Sequence, residues 1–181
     1  YVPGAYADTE ELVALAGVVS RHGGIYASHM RDEGDELLEA IQEVLEIARR
    51  AKLPCHISHL KASKQRNWGK VRAAARMIDQ ARAEGLPITA DQYPYNASST
   101  SIMAMLLPDE EREGGEQAAA VRLNDPQLAA RLRPVVAAAL EDRGQLLVAS
   151  CRTRPEWVGK TIAEVAQAEG REPVDVAMDI L

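Results

Sequence analysis

The sequence predicts an α/β fold built on parallel strands, and three observations carry that prediction. Short apolar runs suited to buried strands recur about every 30 residues, the spacing of strand-helix-strand units. Segments with apolar residues at helical spacing separate them. The composition, 46% hydrophobic and 27% charged, is that of a foldable globular chain.

Asp8 or Thr9 caps a first helix carrying Leu12, Val13, Leu15, Ala16 and Val19, with Glu10 and Glu11 in its electropositive first turn and Gly23-Gly24 at its end. His22 stands at that helix end and suits capping better than catalysis. Ile25 to His29 reads as a short buried strand, and Leu37, Leu38, Ile41, Val44, Leu45 and Ala48 make the following amphipathic helix. Cys55 to His59 is a second strand. A polar loop leads to a helix through Val71, Ala75, Ile78 and Ala81, closed by Gly85, and Pro87 to Asp91 is a third strand before a turn-rich stretch. A barrel and an open doubly wound sheet both accommodate three such units, and no Gly-rich phosphate loop follows any strand.

From Pro108 the run Asp109 to Glu116 is acidic and apolar-poor and reads as a solvated loop. Pro126 opens a helix through Leu128, Leu132, Val135, Val136 and Leu140, Gln145 to Ser150 is a fourth strand candidate, and helices follow around Ile162 and after Pro173. Gly159-Lys160-Thr161 has the tail of a phosphate loop without its upstream glycine. These breaks divide the chain into βα units at 1–107, a helical insertion at 108–143 and a return segment at 144–181.

A formal charge of −6 with mixed signs points away from nucleic acid and anionic membrane surfaces and toward a small-molecule partner. Cys55 and Cys151 form no CxxC motif or disulfide framework, and no window approaches the ~18 apolar residues of a membrane span, so a reducing, cytoplasmic location is expected. The chain opens on Tyr1-Val2-Pro3-Gly4 without an initiator Met and stops inside a helical pattern, so an interior fragment is expected and a removed signal peptide stays open.

His29 and His59 each close a predicted strand on successive units, which puts both imidazoles at one carboxyl edge, where α/β folds carry their sites. Two converging imidazoles suit zinc; single histidines at strand ends also serve as hydrogen-bonded polar residues, and spacing alone leaves both readings open. His56, of opposite parity to His59, is expected to point away.

Three motifs in order, Tyr26-Ala27-Ser28-His29-Met30-Arg31-Asp32-Glu33, Ile57-Ser58-His59-Leu60-Lys61 with Asn67-Trp68-Gly69, and Asp91-Gln92-Tyr93-Pro94-Tyr95-Asn96 with Ala97-Ser98-Ser99-Thr100, resemble the D-aminoacylases of the amidohydrolase superfamily. That resemblance implies part of a TIM (β/α)₈ barrel, its strands 5 to 7, with an inserted helical segment. It further implies that His29 and His59 hold zinc, one or two ions in the complete enzyme, and that Lys61 and Tyr93 bind the α-carboxylate of an N-acyl-D-amino acid. Ser99 (or Ser98) lines the pocket, and Arg31 either faces it or pairs with Asp32 or Glu33. The family's first-strand His-x-His pair, its cysteine ligand and its eighth-strand aspartate, the catalytic acid and base, find no match here. The chain alone is then expected to be inactive, and its open strand edges make a homo-oligomer possible. A cyclic amidase of the dihydroorotase or hydantoinase kind, a dipeptidase and a non-catalytic α/β module are the alternatives.

Overall fold

The computed structural model describes residues 4–143 and 145–181, which form two compact units divided between Asn96 and Ala97. In the first, α1 (Thr9–Arg21) begins where the Glu11 backbone N–H donates to the Asp8 carboxylate at 2.8 Å, so Asp8 rather than Thr9 is the cap. β1 (Tyr26–Ser28), α2 (Leu37–Ala51), β2 (Cys55–Ile57), α3 (Lys70–Ala83) and β3 (Ile88–Ala90) then alternate. The strands run parallel in the order β1-β2-β3, with Tyr26, Cys55 and Ile88 in one register row and Ala27, His56 and Thr89 in the next.

Successive strands that are also neighbours step across the sheet in one direction, and right-handed crossovers then lay every connecting helix on one face. Cys55, Ile57 and Ile88 accordingly share a core with Ile41, Val44, Ile47 and Ala48 of α2 and Ala74, Ile78 and Ala81 of α3. Ala27 and Thr89 stay exposed on the opposite face, with half-buried His56 between them. A doubly wound sheet needs a reversal of strand order. These three strands show none, as in a segment of a barrel.

In the second unit α4 (Ile102–Leu106), α5 (Glu116–Leu123), α6 (Pro126–Arg143), α7 (Ile162–Glu169) and α8 (Pro173–Ile180) enclose a separate core including Leu106, Val136, Trp157, Val165 and Val176. The expected strand at 145–150 is instead a single antiparallel bridge between Leu147 and Thr161. Its partner is a turn rather than a strand, and Val148 closes it by exchanging backbone hydrogen bonds with Lys160 and Gly159. Thr161 caps α7 with a full capping box to Glu164, which accounts for Gly159-Lys160-Thr161 without a phosphate. The acidic run is tied down more than its composition suggests: Arg122 donates to the Glu111 and Glu113 carbonyls, and Arg131 pairs with Glu111 at 2.7 Å.

Candidate functional site

The carboxyl edge of the sheet is shaped by one extra residue. The Asp91 N–H donates to the Ile57 carbonyl, as a parallel neighbour should, yet the Asp91 carbonyl accepts from Leu60 rather than from the residue two beyond Ile57. The surplus residue makes a bulge at Ser58-His59, with His59 in the left-handed region at φ 44°. Its N–H, excluded from the ladder, donates to the Asp91 carboxylate. The strands therefore stop at Ser28 and Ile57, earlier than sequence suggests, and His29 and His59 stand just beyond them.

That placement turns the two imidazoles on each other, with His29 Nδ1 facing His59 Nε2 and ring centroids 4.5 Å apart. The other nitrogen of His59 meets two groups: Glu33 Oε1 at 2.6 Å and Lys61 Nζ at 3.1 Å. Lys61 also pairs with Glu33 Oε2 at 2.5 Å, and its ammonium lies 5.8 Å from the centre of the Tyr93 ring. His29, His59, Lys61 and Tyr93 are thus brought together. Desolvation, then the neighbouring His59, push His29 below the usual imidazole pKa, which favours the neutral form that binds metals.

His56 shares with the His59 backbone one partner, Asp91. Its Nε2 lies 3.0 Å from Asp91 Oδ2, the same carboxylate that holds the His59 backbone, and its Nδ1 lies 2.7 Å from Thr89 Oγ1. The His56 contact first, and the His59 N–H second, hold Asp91 below the ordinary carboxylate pKa.

Arg31 is engaged elsewhere. Its guanidinium pairs with Glu43 at 2.8 Å and donates to the carbonyls of Ala5 and Ala7, so it clamps the segment before α1 onto α2. Ser99 is exposed and falls in the second unit. Sequence reasoning missed Asp91 and His56, and it placed Glu33 at this edge only as a polar neighbour of the histidines. Asp91 was accessible by the rule that found the histidines, being the residue after the third strand at the same edge, whereas nothing in the spacing of Glu33 marks its reach to His59 and Lys61.

The donor set fits a metal in part. Two imidazole nitrogens converge, but among the described residues no group of three His, Cys, Asp or Glu gathers in a metal-binding arrangement, and catalytic zinc takes three protein ligands. Cys55 is no substitute: it is buried in the first core, where desolvation pushes its thiol up to about 11.

No family model matches the chain. Over 180 residues it is 33% identical to a D-aminoacylase of Alcaligenes xylosoxydans xylosoxydans, a match covering 99% of this chain and 30% of that protein. The solved structure of N-acyl-D-glutamate deacylase from Bordetella bronchiseptica, in complex with zinc and a phosphonate mimic of the tetrahedral intermediate, matches with a TM-score of 0.75 and 28% identity over 99% of this chain and 31% of its own. A D-aminoacylase with a binuclear metal centre, in which one metal activates and the second attenuates, matches with a TM-score of 0.69 and 27% identity, again over 99% of this chain and 31% of its own. The chain spans about 30% of the length of these relatives. Sequence and fold agree along virtually the whole of it, and the chain is similar throughout to a stretch of D-aminoacylases and N-acyl-D-glutamate deacylases, which are amidohydrolases.

Proposed function

We propose that the whole protein is a zinc-dependent hydrolase that cleaves the amide bond of N-acyl-D-amino acids to a carboxylate and a free D-amino acid. This chain supplies strands 5 to 7 of its (β/α)₈ barrel, and residues 108–143 are an inserted helical segment. The carrying observation is the meeting of His29 Nδ1 and His59 Nε2 at the sheet's carboxyl edge, with a lysine ammonium 3.1 Å from the second nitrogen of His59. His29 and His59 hold one or two zinc ions together with ligands from other parts of the whole protein. When bound, zinc supplies Lewis-acid polarisation of the scissile carbonyl and makes a water acidic enough to attack near neutral pH.

The remaining work of this chain is placement. Lys61 and Tyr93 receive the substrate's α-carboxylate and so fix the amide relative to the histidines, which converts binding energy into orientation. Lys61 pairs with Glu33 Oε2 at 2.5 Å, and the remaining N–H donors of its ammonium are what an incoming carboxylate meets. Arg31, committed to Glu43, is left out of the carboxylate site.

Activity of the whole protein on N-acetyl-D-amino acids, compared with hydantoins and dihydroorotate, tests the reaction. Turnover of the acyl amino acids alone is expected, and preference for the cyclic amides would overturn it. Zinc analysis of His29→Ala and His59→Ala tests the site. Loss of bound zinc in each is expected; unchanged content in both would remove these residues from the metal.

A further inference from the structure

Glu33 is the residue whose position is least explained by the site as described. It sits four residues beyond His29, after the strand has ended, yet it reaches the second imidazole and the lysine on the neighbouring unit. One oxygen lies 2.6 Å from His59 Nδ1 and the other 2.5 Å from Lys61 Nζ. Oε1 is shielded from solvent and lacks an aligned hydrogen bond despite its closeness to His59.

The chemistry of His59 explains the contradiction. Its Nδ1 is faced by a cation that can only donate, Lys61, and by a carboxylate that can only accept, Glu33. One nitrogen cannot serve both. When Nε2 is committed to a metal, the ring must carry its hydrogen on Nδ1, and the partner that suits an N–H is the carboxylate. A small rotation of the imidazole completes the bond that Oε1 lacks and withdraws Nδ1 from Lys61. The ammonium then keeps Glu33 Oε2 and has a donor released toward a substrate carboxylate.

Resting on the reading of His29 and His59 as zinc ligands, we propose that Glu33 is a positioning residue: one of its oxygens orients the His59 imidazole through Nδ1 and the other holds the Lys61 ammonium. A single side chain thereby fixes the distance between the metal and the cation that receives the substrate's carboxylate. Metal loading and carboxylate binding are then coupled through it, each favouring the other.

The test uses the whole protein with zinc, comparing wild type, Glu33→Ala, Glu33→Gln and His59→Ala. Zinc affinity is read by chelator competition, and the affinity for a free D-amino acid is read by calorimetry with and without zinc. Glu33→Ala is expected to weaken zinc binding about 10–100-fold and to abolish the zinc dependence of D-amino acid affinity. Glu33→Gln, which keeps the shape and an acceptor but loses the charge, is expected to recover part of the zinc affinity while amino acid binding stays weakened; it also decides the matter if the alanine variant fails to fold. A folded Glu33→Ala or Glu33→Gln protein with wild-type zinc affinity and intact coupling overturns the proposal while His59→Ala still loses zinc. If His59→Ala keeps its zinc, the metal reading and this proposal fall together.

Discussion

At the scale of single residues, the site depends on a backbone feature as much as on its imidazoles. His59 occupies a conformation that a non-glycine residue adopts at some cost, and Asp91 holds it there by accepting its orphaned N–H. Removing that acceptor should let the turn relax and carry the imidazole away from His29. Asp91→Ala in the whole protein is therefore expected to weaken zinc retention by about tenfold or more, measured by chelator competition, whereas Asp91→Asn, which keeps an acceptor, should lose less. Equal losses in the two variants would mean that charge, not the backbone contact, is what Asp91 contributes. The nearness of the histidines was legible in the sequence because strand ends on successive units converge, but spacing alone left their role open and the resemblance of three motifs supplied it. The bulge was not, since no pattern of residue types separates Cys55-His56-Ile57-Ser58-His59 as a straight strand from the same run with one residue thrown out.

At the scale of elements, the loop between β2 and α3 is anchored on Asp35, just before α2. Its carboxylate accepts from Arg66 at 2.6 and 2.8 Å and from Asn67 at 3.0 Å, and Lys70 donates to its carbonyl at 2.7 Å. The Arg66 hydrogen bonds, and after them the one from Asn67, hold Asp35 far below the usual carboxylate value. A depressed folded pKa means that the contact stabilises fully above the unfolded value, near 3.8, and is lost as pH falls toward the folded value. Denaturant titrations are expected to show stability falling below about pH 4, with the fall shallower in Asp35→Asn; identical acid profiles would remove Asp35 from the balance. The loop's position was readable only as a polar stretch, because the partner of Arg66 and Asn67 lies some thirty residues earlier in the chain.

At the scale of the whole molecule, the chain carries two cores, one under the sheet and one among the later helices. Ile41 is fully buried in the first and Val176 in the second. Ile41→Ala is expected to lower the stability of residues 4–96 by about 2–5 kcal/mol. Hydrogen exchange should report it as faster exchange in α2 and α3 with the amides of α6 to α8 little changed. Uniform acceleration across both would show that the chain unfolds as one unit. Among the described residues no helix is long and apolar enough to cross a membrane.

What the sequence determined by itself is the alternation of strands and helices through Ala90, the core faces of α2 and α3, the resemblance to D-aminoacylases, and the nearness of His29 and His59 at one sheet edge. Those follow from local periodicity and short motifs, whose physical causes lie within a few residues of each other. Only the tertiary structure decided that the sheet is covered on one side, that Gln145 to Ser150 bridges to a turn instead of forming a strand, that Arg31 serves Glu43, and that Glu33, Asp91 and His56 close around the histidines. Each of these is a contact between groups tens of residues apart or a choice of backbone path, and its energy depends on neighbours that the local sequence does not name.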